Sequence, residues 1–328
     1  MPLIKLQELV KTYGVVKALN GLSLQIPEGC LFGLLGPNGS GKTTTLKILS
    51  TLLSPDSGKV IFEGINVLQD PIAVRKQIGY VAQEVALDKI LTGRELLELQ
   101  ADLYHLSEID KDENIALLIK RLEMNEWIDR RCGSYSGGMR RRIDLAAGLI
   151  HKPKFLILDE PTVGLDIESR FVIWQLLKEL NSQGTTILIS SHYLEEIEQL
   201  AEEIAIIDNG MVIAEGSPIK LKNELGGDRV TLKIREFSNI NESEMVKKLV
   251  QNIEGVRKVV VNKSQGFSLN LVVENESIVL SLRKKVEDAD LPIFSLTHSQ
   301  ASLDDVYLQA TGRTLMDAEL DVSSMRDI

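Results

Sequence analysis

Two segments of the sequence combine residue types that can bind and hydrolyse a phosphate compound. The first, GPNGSGKT from Gly36 to Thr43, fits the spacing G-x-x-x-x-G-K-[ST] and lies between a predicted apolar strand and a predicted helix. Its glycines let backbone N–H groups surround phosphate oxygens, Lys42 can reach the β- and γ-phosphates, and the Thr43 hydroxyl can ligate Mg²⁺. The predicted nucleotide-binding residues are Gly36, Pro37, Asn38, Gly39, Ser40, Gly41, Lys42, Thr43 and Thr44.

The second segment is an apolar strand that ends in two adjacent carboxylates. FLIL at residues 155–158 leads directly into Asp159 and Glu160. Asp159 is suited to hold Mg²⁺, directly or through water, and Glu160 can accept the proton of an attacking water. Such a pair alone is more often solvated charge, but after a phosphate-binding loop it predicts hydrolysis.

A third segment, YSGGM at residues 135–139, opens a predicted helix with two adjacent glycines. We call it the signature segment. Its bare backbone N–H groups form a second site for an anion, in a chain that already has a phosphate loop. The sequence therefore predicts that each anion site serves half of a shared site in a nucleotide-driven dimer.

The segments that position these residues alternate between strand-like and helical patterns. Apolar runs at 155–158, 185–190 and 204–208 are separated by helical stretches, which predicts an α/β fold with a largely parallel sheet. Before the first of these runs, residues from about 84 to 150 have leucines at helical spacing and no strand candidate past residue 92. This pattern predicts a helical insertion.

The C-terminal third reads as a second, smaller domain. A turn-rich stretch at 223–228 precedes a β-α-β-β-α-β order, which predicts a ferredoxin-like α+β arrangement. We therefore expect a nucleotide-binding domain over residues 1–222, an accessory domain over 229–312 and a loose acidic tail over 313–328.

Composition limits the possible partners and the location. The 328 residues are 44% hydrophobic and 26% charged, with a net charge of −10, which argues against nonspecific nucleic-acid binding. The basic cluster at residues 140–142 is interpreted as surface or interface charge. No apolar run reaches the roughly 18 residues of a membrane span, so we expect a cytoplasmic protein whose membrane connection runs through a partner.

GPNGSGKTT, YSGGM, LILDEPTVGLD and a later SSH follow one another in an order that resembles the nucleotide-binding domain of an ABC-type ATPase. The resemblance covers roughly residues 3–220. SGGMRRRIDLAAGLI, LTGREL and SLDDVYLQATGR are similar to the daunorubicin-resistance branch of drug and antibiotic exporters. The resemblance implies a P-loop NTPase fold that binds ATP and Mg²⁺. It also implies two partners, a second ATPase subunit and a separately encoded integral-membrane permease, through which the protein would associate with the inner face of the cell membrane.

The resemblance also assigns roles to residues that no pattern alone would identify. Tyr13 corresponds to the aromatic that stacks on adenine, although it could instead be a half-buried strand residue. Gln83 corresponds to the Q-loop glutamine that contacts Mg²⁺ or water, and His192 to the switch histidine that steadies the γ-phosphate. Asp166 corresponds to the D-loop aspartate that communicates across the dimer.

In the signature segment, the resemblance implies that Ser136, Gly137 and Gly138 contact the γ-phosphate held by the other protomer. The segment departs from the commonest family form, LSGGQ, at its first and last positions. Met139 lacks a side-chain amide, so the contact is expected to rest on Ser136 and the glycine backbone.

Several alternatives stay open at this point. A soluble mechanochemical ATPase acting on ribosomes or DNA is an alternative to the exporter subunit. The dimer can be homo- or heteromeric, although a homodimer is expected, and the accessory domain can be a ligand-sensing or dimerising regulator. The cargo can be a drug, a lipid, a polysaccharide or a peptide, because fold does not fix cargo.

Overall fold

The computed structural model describes residues 2–236, 238–262 and 266–326. Its strands are β1 Pro2–Tyr13, β2 Val16–Pro27, β3 Leu31–Leu35, β4 Ser57–Phe62, β5 Ile65–Asn66, β6 Ile78–Val81, β7 Phe155–Asp159, β8 Thr186–Ser191, β9 Glu203–Asp208, β10 Met211–Gly216, β11 Asp228–Lys233, β12 Val256–Asn262, β13 Ser268–Val273 and β14 Ser295–Ser299. Its α-helices are α1 Lys42–Leu49, α2 Pro71–Arg75, α3 Gly93–Leu103, α4 Glu108–Arg121, α5 Gly137–Leu149, α6 Ile167–Ser182, α7 Leu194–Leu200, α8 Pro218–Glu224, α9 Ile240–Val250, α10 Ile278–Glu287, α11 Leu303–Thr311 and α12 Leu315–Arg326.

A six-stranded sheet carries the candidate site. Its order is β10-β9-β3-β8-β7-β6, and β9, β3, β8, β7 and β6 are joined by parallel pairings. Strands β3, β7 and β8 are buried along their whole length, as expected for a parallel sheet covered on both faces. The carboxyl ends of neighbouring parallel strands share one edge, which is where ligands bind in such sheets.

A second, antiparallel sheet has the order β2-β1-β4-β5. Its inner residues pack with strands β3 and β7 and helix α1 into one hydrophobic core, in which Phe62 and Phe155 have ring centroids 6.3 Å apart. Residues 3–30 were predicted as half-exposed strands, and β2 shows the corresponding alternation of buried and exposed positions.

The predicted helical insertion is present. Helices α3, α4 and α5 lie between β6 and β7, with one short 3₁₀ turn at Cys132–Ser134. Capping residues fix where these helices begin: Thr92 and Glu95 form a reciprocal capping box at α3, and the Ser107 hydroxyl accepts the Asp110 N–H at α4.

The chain divides into two compact units. Residues 1–35 and 40–212 form one, and residues 36–39 group with 213–328 in the other, so the division falls before the 223–228 turn. In the second unit the sheet order β12-β13-β11-β14, with helices α9 and α10, agrees with the predicted ferredoxin-like arrangement. Among the described residues, no helix is long and apolar enough to cross a membrane.

The expectation of a loose tail after residue 312 is wrong for the residues that the structure describes. Residues 315–326 form helix α12, and Leu315 and Ala318 are buried. Thr314 and Asp317 hold its start, because the Asp317 N–H donates to the Thr314 hydroxyl and the Thr314 N–H donates to the Asp317 carboxylate. The acidic residues of this segment led to the prediction of a loose tail instead of a helix.

Candidate functional site

The predicted phosphate loop connects β3 to α1. Gly41, in the left-handed conformation at φ 111°, precedes Lys42, the first helical residue. A Cβ atom at Gly41 would lie 2.7 Å from the main-chain oxygen of Ala18, so no larger residue fits without a shift. The loop therefore delivers Lys42, which is 5% exposed, and Thr43 to the edge of the sheet.

Asp159 ends β7 and lies against residues of the neighbouring strand and helix. Its Oδ1 accepts hydrogen bonds from the Ser190 hydroxyl at 2.6 Å and from the Thr43 hydroxyl at 3.3 Å. The Ser190 hydroxyl also accepts the Glu160 N–H at 3.1 Å. Ser190, at the end of β8, thus joins the two carboxylate residues through one side chain.

Glu160 is where the predicted hydrolytic residues converge. Its carboxylate accepts the Gln83 side-chain amide at 2.9 Å, and its other oxygen lies 3.0 Å from His192 Nδ1 and 3.8 Å from Lys42 Nζ. We call Lys42, Gln83, Glu160 and His192, with Thr43 and Asp159, the hydrolytic cluster. Burial by itself would raise the pKa of Glu160, but the hydrogen bond and charge of His192, then Lys42 and Gln83, lower it below its ordinary value.

The backbone of Glu160 adopts a conformation that L-residues rarely use. Its φ is +47°, in the left-handed region, although the residue is neither glycine nor asparagine. A conformation of this kind costs on the order of 1–3 kcal/mol and persists only where the surroundings enforce it. Strain at the residue expected to act as the base fits a functional position.

The oxygen donors at this edge suit Mg²⁺. Asp159 Oδ2 is buried and has no hydrogen-bond partner, while its Oδ1 and the Thr43 hydroxyl are hydrogen-bonded to each other. A buried carboxylate oxygen without a partner is costly unless a cation or water meets it. Hard carboxylate and hydroxyl oxygens are also the ligands that Mg²⁺ prefers.

The signature segment lies at the surface with an open side. The Ser136 hydroxyl caps α5 by accepting the Met139 N–H at 3.3 Å, and nothing lies within 4 Å of a Cβ built on Gly137.

Gly138 is different: a Cβ there would lie 2.5 Å from the Ser169 hydroxyl oxygen on α6. Asp166 caps α6 through that same Ser169, whose N–H donates to its carboxylate at 2.7 Å. This hydrogen bond is the main reason that the pKa of Asp166 is lowered.

Two aromatic residues near these motifs have contrasting environments. Tyr135, in the signature segment, is 2% exposed, and its hydroxyl accepts the Gly93 N–H and donates to the Trp127 carbonyl oxygen at 3.1 Å. Tyr135 therefore connects the signature segment to the start of α3 and to the main chain at Trp127. Tyr13 ends β1, is 48% exposed and has Lys11 Nζ 5.9 Å from its ring centroid. Part of the side chain is accessible to solvent, and its role in adenine stacking stays a prediction.

The sequence analysis missed three polar residues that hold the motifs in place. Ser190 binds both Asp159 and Glu160, and Ser169 lies against Gly138. The buried Arg141 guanidinium donates to the carbonyl oxygens of Asp159 and Pro161, the residues on either side of Glu160. Arg141 was included in a cluster read as surface charge, which is wrong for this residue, since it is 4% exposed. The one available signal for Ser190 was its place at the end of an apolar run, as the first residue of the SSH motif.

The fold and the arrangement of these residues define a class: a P-loop nucleotide-binding fold with a helical insertion. The family model described as ABC transporter matches residues 19–163. The chain is 37% identical over 316 residues to the daunorubicin resistance ATP-binding protein DrrA2 of Streptomyces coeruleorubidus, covering 96% of this chain and 97% of that protein. The chain belongs to the ABC transporter family, among its ATP-binding proteins.

Other relatives extend over the same length. The linearmycin resistance ATP-binding protein LnrL of Bacillus subtilis is 35% identical, with 96% of this chain and 100% of that protein covered. The Nod factor export ATP-binding protein I of Ralstonia nicotianae is 33% identical, with 96% of both chains covered. The resemblance to daunorubicin-resistance proteins inferred from the motifs is confirmed.

Solved structures agree on the fold. An ATP-binding subunit of an ABC transporter matches with a TM-score of 0.64 at 27% identity, covering 68% of this chain and 93% of that one. A dimeric ATP-binding cassette in a post-hydrolysis state, bound to ADP and Pi, matches with a TM-score of 0.61 at 29% identity, covering 65% and 98%. The predicted P-loop ABC fold is confirmed.

Proposed function

We propose that this chain is the ATP-hydrolysing subunit of an ABC exporter, and that it drives a separately encoded permease for a drug, an antibiotic or a lipid. One observation carries the proposal: six predicted residues from four separate segments converge in the hydrolytic cluster around Glu160. The relatives named for daunorubicin and linearmycin resistance support the exporter assignment.

Within the cluster, each residue has a role that follows from its contacts. Glu160, ionised because its pKa is lowered, accepts the proton of the attacking water, and His192 and Gln83 hold its two carboxylate oxygens. Lys42 neutralises charge on the β- and γ-phosphates. Thr43, Asp159 and Gln83 would hold Mg²⁺, which supplies electrostatic stabilisation of the phosphates.

The second anion site supports a dimer as the working unit. Ser136 and Gly137 are exposed, and nothing lies within 4 Å of a Cβ built on Gly137, so a partner can approach them. In the proposed dimer, these residues contact the γ-phosphate of the partner protomer, and twofold symmetry gives two shared sites. Hydrolysis then requires pairing, because each site lacks half of its phosphate contacts in a monomer.

We further propose that residues 1–222 act as the ATPase domain and residues 229–312 as an accessory domain. The protein would associate with the inner face of the cell membrane through its permease. The helical insertion is the proposed docking element, and it exposes large apolar side chains: Ile90, Leu99 and Leu103.

Docking can be tested by recovering the tagged full-length chain from detergent-solubilised membranes of its own cells. We expect an integral-membrane protein to co-purify, and Ile90→Asp to reduce its recovery. Leu280→Asp is the matched control, because Leu280 on α10 is equally exposed, at 74%, outside the insertion. Recovery of ribosomes or DNA without any membrane protein would contradict the proposal and support the mechanochemical alternative.

A further inference from the structure

Arg141 differs from its neighbours in the run Arg140-Arg141-Arg142. Arg140 is exposed, whereas Arg141 is 4% exposed, although both lie in the first turns of α5. A fully buried guanidinium loses its hydration and is retained only where partners replace the lost hydrogen bonds. Its partners therefore indicate what this charge is for.

The guanidinium of Arg141 binds three main-chain carbonyl oxygens. Nε donates to Pro161 at 2.7 Å, Nη2 donates to Asp159 at 2.9 Å, and Nη1 donates to Ala82. Asp159 and Pro161 are the residues immediately before and after Glu160. Ala82 immediately precedes Gln83. One planar group thus joins the backbone on both sides of the expected base to the backbone beside its hydrogen-bond donor.

This arrangement, together with the Ser190 contacts to the Glu160 N–H, helps to hold the left-handed backbone of Glu160. A residue at φ +47° persists only where its surroundings enforce it. Arg141 binds the carbonyl of the peptide bond that precedes Glu160 and, on the other side, the carbonyl of Pro161, one peptide bond beyond Glu160. The fork shape of the guanidinium matters, because three donors must point to three fixed acceptors. Asp144 Oδ2, 3.4 Å from Nη1, supplies a nearby opposite charge.

We propose that Arg141 is a positioning residue for ATP hydrolysis, which holds Glu160 and Gln83 in their working geometry and fixes them to the helix that begins in the signature segment. The proposal rests on the proposed ATPase activity. It assigns Arg141 no contact with ATP. Its loss should therefore lower kcat and leave the KM for ATP unchanged.

The test compares Arg141→Lys with Arg140→Lys in the full-length chain with Mg-ATP. Lysine keeps the charge at both positions but has no planar fork, so only the buried position should respond. We expect Arg141→Lys to lower kcat by about tenfold to a hundredfold, the range typical of a small misplacement of reacting groups. The KM and the number of ATP molecules bound per chain should match wild type, and Arg140→Lys should behave as wild type.

Three outcomes would overturn the proposal: wild-type kcat in Arg141→Lys, a fall in bound ATP that parallels the fall in kcat, or an equal loss in Arg140→Lys. Arg141→Met serves as a second variant of similar length. If neither Arg141 variant folds, Arg141 is a folding requirement and the proposal fails. Absence of turnover in wild type would contradict the proposed function as well, whereas wild-type turnover that Arg141→Lys retains contradicts this proposal alone.

Discussion

The hydrolytic cluster and the signature segment differ in how many contacts their own chain supplies. Around Glu160, partners from the phosphate loop, from the segment after β6 and from the end of β8 meet within hydrogen-bond or ion-pair distance. At the signature segment, Ser136 caps its own helix and Gly137 has open space where a Cβ would be. Folding of one chain is enough to bring the hydrolytic cluster together. Ser136 and Gly137 of the signature segment instead stay exposed at the surface.

Under the proposed function, this difference separates the residues of the reaction from those that sense a partner. Residues proposed to activate water should be held in place before ATP arrives, and in the hydrolytic cluster Lys42, Asp159 and Glu160 are buried, with a strained backbone at Glu160. Residues proposed to contact a partner should stay accessible. The predictions below test that separation, beginning with the buried cluster.

The largest expected effect is that of Glu160→Gln. The amide cannot accept the proton of the attacking water, so phosphate release should fall by roughly a hundredfold to ten-thousandfold. ATP binding should persist, because Lys42 and the phosphate loop are unchanged, and the variant should accumulate as a dimer in size exclusion with ATP. Steady-state hydrolysis at the wild-type rate would contradict the assignment of Glu160 as the base.

A mixing experiment tests whether the open site works in the partner. Gly137→Asp should fold, because the position is open, yet repel the γ-phosphate and lower turnover by about a hundredfold to a thousandfold. Lys42→Ala should weaken binding at the phosphate loop. In a freely exchanging mixture of the two variants, half of the dimers have one intact site, so about a quarter of the wild-type turnover should return.

If the mixture stays as inactive as its components under conditions where subunits exchange, the two sites are not shared between protomers. The comparison between a self-sufficient and a partner-dependent site would then be wrong.

Within the signature segment, the two glycines should separate stability from activity. Gly138→Ala places a Cβ 2.5 Å from the Ser169 hydroxyl oxygen, and such overpacking costs about 1–3 kcal/mol of unfolding free energy. Gly137→Ala should cost far less, since nothing lies nearby. Urea unfolding of both variants measures the difference, and combining Gly138→Ala with Ser169→Ala should recover part of the loss. Equal stabilities for the two alanine variants would contradict the packing argument.

The smallest effect concerns pH. Because His192 and Gln83 lower the pKa of Glu160, the base stays ionised below its ordinary range, and turnover should be lost only as pH falls through that lowered pKa. His192→Ala removes a hydrogen bond and a charge, so the acidic limb of its residual kcat profile should move to higher pH. Gln83→Ala, which removes the weaker influence, should move it less. A larger shift in Gln83→Ala would reverse our ranking of the contacts.

Patterns with a fixed spacing could be predicted from the sequence. The phosphate loop, the strand ending in Asp159 and Glu160, and the order of elements in the C-terminal unit all have local signals, and the structure has them where expected. Ser190, Ser169 and Arg141 could not be assigned, because their roles depend on contacts across 30, 31 and 18 residues of sequence. Helix α12 was missed because two buried side chains, and not its charged composition, decide its state.

The close approach of Gly138 to Ser169 also restricts which sequences this fold can accept. The two helices α5 and α6 are packed so tightly there that a Cβ added at Gly138 would require the Ser169 side chain to shift or to be smaller. The Ser169 N–H also donates to the carboxylate of Asp166, which caps α6, so any residue at position 169 must keep this hydrogen bond. Across descendants of this chain, the residues at 138 and 169 should be inherited as matched pairs, and a change at either should be rare without compensation at the other.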